Sequence, residues 1–259
     1  MNESHGVRRL LGGLALAAAL GLLLRGQAGQ ADDKAKLPPA KEIMAKSLEA
    51  MGGKEALLKH SSSHHKGKFE MPAQGITGEL EIFAAKPAKF MLKVNIPNFG
   101  EFLQGYDGKV GWSMNPIMGP KILEGKQLEE AAERAQFHGE VTEADRVKSM
   151  ETLEETKFDN KDCYKVKIVR KSGSDIIRFY DKKTFLIVGE KRKQETDMGT
   201  VDATVTVSDY KKFDGVLMAT KTKVEAGPIV QELTVTSVEY DKVDDKTFAL
   251  PEMIKALVK

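Results

Sequence analysis

Cysteine is almost absent from this chain. Its one copy, Cys163, excludes an internal disulfide and any multi-cysteine metal site, and its neighbours Asp162 and Tyr164 offer it no activation, so it reads as a small apolar packing residue. An excess of either charge is also missing. The chain holds 40 basic and 38 acidic residues, and removing residues 1–31 leaves 37 of each. A near-neutral chain lacks the basic surface that nucleic-acid binding needs, and the local run Lys191, Arg192, Lys193 is soon followed by Glu195 and Asp197, as on a solvated sheet face. No Gly-x-Ser-x-Gly elbow and no glycine-rich phosphate loop occurs, so Ser61 to Ser63 beside histidines do not make a hydrolase. Histidine is sparse, and its one cluster, His60, His64 and His65 near Glu70, lacks convergence because His64 and His65 are adjacent and face opposite sides of a strand. An exposed, polar strand start is the reading of that segment. His138 follows a helix with no evident partner. The expectation is a non-enzymatic protein without metal or cofactor.

Long apolar runs are missing too, apart from residues 10–24, which are almost entirely Leu, Ala and Gly behind Arg8 and Arg9. About fifteen apolar residues fall short of the roughly 20 that span a membrane. With small residues at Gly29 and Ala31, residues 1–31 read as a secretory signal cleaved near Ala28 or Ala31, with an uncleaved anchor as the competing account. The Arg pair fits an ordinary signal start better than a twin-arginine one. No cysteine lies near the cleavage region to take a lipid. A soluble periplasmic protein is expected.

Residues 32–39 form a charged linker ending in Pro38-Pro39, and proline at a first helical turn predicts a helix from about residue 40. Its greasy face holds Ile43, Met44, Leu48 and Met51, and Gly52-Gly53 stops it before a second short turn with Leu57 and Leu58. From about Ser62 the hydrophobic period becomes two. Leu80 and Ile82 alternate with Glu79 and Glu81; Phe90, Leu92, Val94 and Ile96 with lysines and Asn95; Val201, Ala203, Val205 and Val207 with Asp202, threonines and Ser208. Further strands are expected over 151–158, 163–171, 175–181, 185–194, 216–225 and 229–240. Residues 105–125, with Trp112, Met114, Ile117 and Met118 among glycines and prolines, predict a shaped hairpin turning at Asp107-Gly108. A second covering helix is expected over 126–137, with Leu128, Ala131, Ala132 and Ala135 as its stripe, and Met253, Ile254 and Leu257 end the chain as a short docking segment. The fold class is mainly β (α+β): residues 40–259 as one domain, a single large curved antiparallel sheet of about 10–11 strands, an unclosed β-barrel capped by two or three helices.

Four stretches carry a resemblance. They are Met51-Gly52-Gly53 with Ala56-Leu57; Gly105 through Trp112 with Asn115-Pro116 and Gly119-Pro120; Cys163 through Ile168 followed by Phe179 to Lys182; and Asp209-Tyr210 to Gly215, closing at Phe248 to Pro251. In order and spacing they resemble the LolA/LolB-like superfamily, specifically the outer-membrane lipoprotein-sorting proteins of the envelope. The resemblance implies an unclosed barrel whose helix-capped concave side binds acyl chains of lipids or lipoproteins. The family's membrane-anchored acceptor carries a lipidated cysteine at its mature start, and this chain has none, so a carrier is implied, with transient membrane contact at most.

The expected apolar lining is Phe69, Leu80, Ile82, Phe90, Leu92, Val94, Trp112, Met114, Ile117 and Met118. The expected lid is Ile43, Met44, Leu48, Leu128 and Ala132. Two readings of that lining stay open: a cradle for acyl chains, or ordinary core under the helices. In the second, the scaffold is an envelope protein–protein interaction module without a ligand cavity.

Overall fold

The computed structural model describes residues 37–196 and 199–258. The expected leader, and residues 32–36 of the linker, lie outside the described residues. Pro39 caps α1 (Ala40–Ala50), and Ala40, Ile43 and Ser47 recur at helical spacing as its buried face. Gly52 and Gly53, at φ 115° and 80°, turn the chain into α2 (Gly53–Leu58). A side chain at Gly52 would meet the carbonyl of Gly215 at 2.5 Å, so this corner requires glycine for space as well as for conformation.

Strands follow in two blocks. The first is β1 (Ser62–Met71), β2 (Ile76–Ala85), β3 (Lys89–Ile96), β4 (Gly100–Tyr106), β5 (Gly111–Asn115) and β6 (Gly119–Ile122). Helices α3 (Gly125–Arg134) and α4 (Gly139–Arg146) come next. The second block is β7 (Val147–Phe158), β8 (Lys161–Arg170), β9 (Asp175–Asp181), β10 (Ile187–Thr196), β11 (Gly199–Phe213), β12 (Val216–Ala226) and β13 (Ile229–Tyr240), before the short α5 (Glu252–Lys255). All thirteen strands form one antiparallel sheet in the order β6-β5-β4-β3-β2-β1-β13-β12-β11-β10-β9-β8-β7. The chain therefore starts mid-sheet, steps out to one edge, crosses through α3 and α4 to the other edge, and steps back until β13 pairs with β1.

The strand count exceeds the ten or eleven expected. Residues 105–125, read as one hairpin, contribute the end of β4 and all of β5 and β6. Asp107 makes the expected turn: its carboxylate accepts from the backbone N–H of Lys109 and Val110, both at 2.8 Å, and Gly108 takes φ 110°. Asn115 does the same for Ile117 and Met118 at the next turn.

Curvature follows from what α3 touches. It packs on β4 and β5 and also on β10, strands with six others between β4 and β10 in the sheet order. The sheet curls round the helix, and the face toward α3 is the concave one. Cross-strand register then assigns every side chain. Phe69, Leu80, Val94 and Phe102 share the concave face of β1–β4. Val166, Ile168, Ile176 and Tyr180 hold the concave face of β8 and β9, where Ala40 and Ile43 of α1 pack upon them. On the outer face the C-terminal segment runs across the first block: Lys89 pairs with Asp245 at 2.5 Å, α5 packs on β6, and Phe248 and Ile254 are buried.

Candidate functional site

The concave face has two chemically distinct halves. In the first, Phe69, Leu80, Val94 and Ile96 are buried against one another, with Ile82, Leu92, Phe102 and Leu233 half-buried around them. Their alternation along β1–β4 and the neighbouring β13 aims all of them inward, which is the period-two pattern of the sequence made three-dimensional. Beside this cluster lies an open groove of about 420 Å³, bordered by Leu92, Val94, Phe102, Gln104 and Met118.

The expected lining residues divide on this frame. Phe69, Leu80, Ile82, Leu92 and Val94 are brought together on the concave face, and Phe90 shares it, opposite Tyr106. Trp112 does not join them. Its partners Gly105 and Ile122 place it on the outer face, 2% exposed and folded over Gly105, where an added Cβ would meet its indole at 2.5 Å. Met114 takes the register of Trp112 and yet borders the groove. Ile117 and Met118 stand at the β5–β6 turn, 76% and 67% exposed, and of the two only Met118 borders the groove. Phe99, at the β3–β4 turn, is a third exposed apolar tip nearby, since Gly100 beside it lies against Pro116.

Of the expected lid, Ile43 is fully buried on β8 and β9, while Met44 and Leu48 are half-buried facing the interior. Leu128 of α3 reaches Gly111 on the opposite wall, and Ala132 is half-buried on the same helix.

The second half of the concave face carries, beside the apolar Val166, Ile168 and Ile176, a charged network that the sequence reading missed. Arg170, Arg178, Glu190 and Arg192 stand at inward positions of β8–β10. Arg178, 7% exposed, donates to Glu143 of α4 at 2.7 Å, to the Tyr180 hydroxyl at 3.3 Å and to Glu190 at 3.4 Å. Arg170 donates to Glu143 at 3.3 Å and pairs closely with Glu133 of α3. Burial disfavours the charge on Glu143, yet Arg178 and Arg170 beside it hold its carboxyl below the usual range. Burial disfavours the charge on Arg178 too, but Tyr180, Glu143 and Glu190 beside it hold its guanidinium above the usual range. Burial drives the Tyr180 phenol up. A signal existed: in the strand 175–181, Arg178 sits at the parity of Ile176 and Tyr180, a charge where an apolar residue belongs.

Around this network lies a second cavity of about 200 Å³. It is walled by Met44 and Leu48 from α1 and Met51 just after it, by Glu140 and Arg146 from α4, and by Arg170 and Arg178 from the sheet.

The histidine segment is buried rather than exposed, correcting the expectation. His60, Ser62 and Ser63 are 2–5% exposed, because His60 stacks on Tyr240 at 3.8 Å and Asp241 accepts from the His60 ring and from Ser61. That bonding holds the Asp241 carboxyl well below the ordinary range, with His60 the largest cause. His138 has a partner after all, the carbonyl of His60 at 3.0 Å. His65, facing inward, is pushed down to about 4 by burial and then by the nearby His64. Among the described residues no group of three or more His, Cys, Asp or Glu is placed to hold a metal. Cys163 is buried and burial raises its thiol pKa.

No protein-family model matches the sequence, and no curated protein sequence matches it. Solved structures do match. A DUF1329 family protein from Desulfovibrio piger superposes with a TM-score of 0.58 at 15% identity, covering 82% of this chain and 98% of that one. The LolA superfamily protein NE2245 from Nitrosomonas europaea gives 0.54 at 14% identity, covering 83% and 99%. An outer membrane lipoprotein-sorting protein domain from Vibrio parahaemolyticus gives 0.50 at 14% identity, covering 83% and 98%. At these identities the likeness concerns architecture, and with the open curled sheet and its helical crossover it establishes that this chain has a LolA-like fold.

Proposed function

We propose that the protein is a non-enzymatic periplasmic carrier that binds acyl chains of lipids or lipoproteins on the concave face of its open sheet, with α1 and α3 as lid. The observation that carries this reading is the apolar half of that face, where β1–β4 turn Phe69, Leu80, Ile82, Leu92, Val94 and Phe102 inward beside an open groove. The names of the LolA superfamily protein and of the lipoprotein-sorting domain support it. So does the leader-like start of the sequence.

The physics of such a carrier is simple. Each methylene taken from water contributes roughly 0.8 kcal/mol, so about ten of them supply about 8 kcal/mol without polar recognition. Micromolar binding needs about that much. Release then requires the lid to move or a competing apolar surface to take the chain.

The test is mass spectrometry of protein purified from its own envelope fraction without delipidation, paired with uptake of a fluorescent fatty acid. Co-purified lipid, and uptake weakened by Leu92→Glu, are the expected results. A folded protein with no bound lipid and no uptake would sink the proposal and favour a docking module for an envelope protein.

A further inference from the structure

The second cavity holds more cationic donors than its own carboxylates use. Arg134, Arg146, Arg170 and Arg178 line it, against Glu133, Glu140 and Glu143, an excess of one positive charge. Arg146 donates from Nη2 to the Gly139 carbonyl at 2.7 Å, but its Nε and Nη1 are buried without a hydrogen-bond partner among the described residues. The Nε atoms of Arg170 and Arg178 are in the same condition. Leaving a buried donor unpaired costs about 1–3 kcal/mol, and more for a charged group. Four such nitrogens on three side chains around one cavity call for an acceptor, and an anion answers both the donors and the charge.

The rest of the wall says what the anion is attached to. Met44, Leu48, Met51 and Ile187 give this cavity an apolar side. Arg134, which lines it, donates at 2.9 Å to Gln104, which borders the apolar groove. One hydrogen bond thus links the wall of the charged cavity to the wall of the greasy groove.

We infer that the arginine-lined cavity is a head-group site for a singly anionic amphiphile, a carboxylate or phosphodiester held by Arg146, Arg170 and Arg178 while its chain lies toward the apolar groove. This rests on the acyl-binding reading above and adds to it the charge of the ligand. Arg146 is the recognition residue to alter, because Arg170 and Arg178 already hold Glu133, Glu143 and Glu190 in place.

The experiment measures binding of oleate, methyl oleate and inorganic phosphate to the mature chain and to its Arg146→Gln and Arg146→Lys variants, each checked for an unchanged thermal unfolding profile. Wild-type protein is expected to prefer oleate to its methyl ester by tenfold or more. Arg146→Gln should bring oleate down to the ester's level and leave the ester unchanged, while Arg146→Lys, which keeps the charge, should retain part of the preference. Equal binding of oleate and ester by the wild type overturns the head-group site and leaves the chain-binding reading standing. An oleate-to-ester ratio that survives Arg146→Gln overturns it as well. Phosphate binding that depends on Arg146, with no preference for oleate over ester, marks a free-anion site and overturns the amphiphile. If neither fatty compound binds, the carrier reading fails and takes this inference with it.

Discussion

Strands β2–β4 and strands β8–β10 follow one rule and build opposite interiors. At inward positions the first set presents Leu80, Ile82, Leu92, Val94 and Phe102, and the second sets Arg170, Arg178, Glu190 and Arg192 among Val166, Ile168 and Ile176. Apolar contacts are non-directional, so the first half can exchange one greasy neighbour for another at little cost. Buried ion pairs need particular geometry, and the second half holds its covering helices in fixed places. Glu133 of α3 and Glu143 of α4 are both tied to sheet arginines. Across the groove α3 is held by the exposed Arg134–Gln104 bond and by Leu128 against Gly111. If α3 moves as the proposed lid, these ties predict a hinge on its charged side and an opening on its apolar side.

The largest test of that difference is Glu143→Ala. It strips a carboxylate from two buried guanidiniums, a change that typically costs about 3–5 kcal/mol, so a loss of about 4 kcal/mol is expected in urea unfolding. Acid should act in the same direction. The folded pKa of Glu143 is depressed, so its contribution is present above the ordinary carboxylate range and is lost as the pH falls through and below it. Leu80→Ala is the matched change in the apolar half. With Leu80 only 1% exposed, a loss of about 3 kcal/mol is expected from transfer and cavity effects. Should Leu80→Ala prove the costlier of the two, the assignment of rigidity to the charged half breaks.

Legibility in the sequence followed the same division. Period-two alternation is a local signal, and it disclosed the apolar half by residue: Phe69, Leu80, Ile82, Leu92 and Val94 all lie inward as a set. The helix stop at Gly52-Gly53 and the turn at Asp107-Gly108 were equally readable, because each depends on a backbone conformation that few residues tolerate. Trp112 was harder. Its strand is only five residues long, and which face it takes is set by pairing with Gly105, a partner that period alone does not name. The charged network left little trace beyond the parity of Arg178, since Glu143, Arg146 and Arg170 come from two other elements and look like ordinary surface charges until the fold joins them. Helix α4 was missed for a related reason: Val141 and Ala144 are its only clearly apolar residues, and its inward anchor is the charge on Glu143.

His65 offers a smaller probe, on the apolar side. It faces the cradle through its pairing with Ile82, and its Nε2 lies 3.0 Å from the Ser63 hydroxyl. Burial keeps it neutral, with a folded value of about 4 against 6.5 unperturbed. A depressed histidine contributes stability that is full above about pH 6.5 and is lost as the pH falls toward 4, because there the unfolded chain binds the extra proton. About 2 kcal/mol is expected to disappear across that window and to be retained in His65→Gln. Wild-type and His65→Gln profiles that run parallel from pH 6.5 to 4 would place His65 in water and shrink the dry part of the cradle.

The smallest expected change in stability is at the rim, where function and stability should separate. Met118 is 67% exposed at the β5–β6 turn and borders the groove, so Met118→Ser removes little buried area. Its effect on unfolding should stay within about 0.5 kcal/mol. Uptake of a fluorescent fatty acid should nevertheless fall severalfold, because a flexible thioether at the mouth is a contact that only an entering chain completes. Ile117→Ser is the control, equally exposed but away from the groove wall, and should leave uptake as it was. If both serines weaken uptake alike, the two tips act together as one apolar surface and the groove is not the route in; if neither does, the chain enters elsewhere along the open edge between β6 and β7.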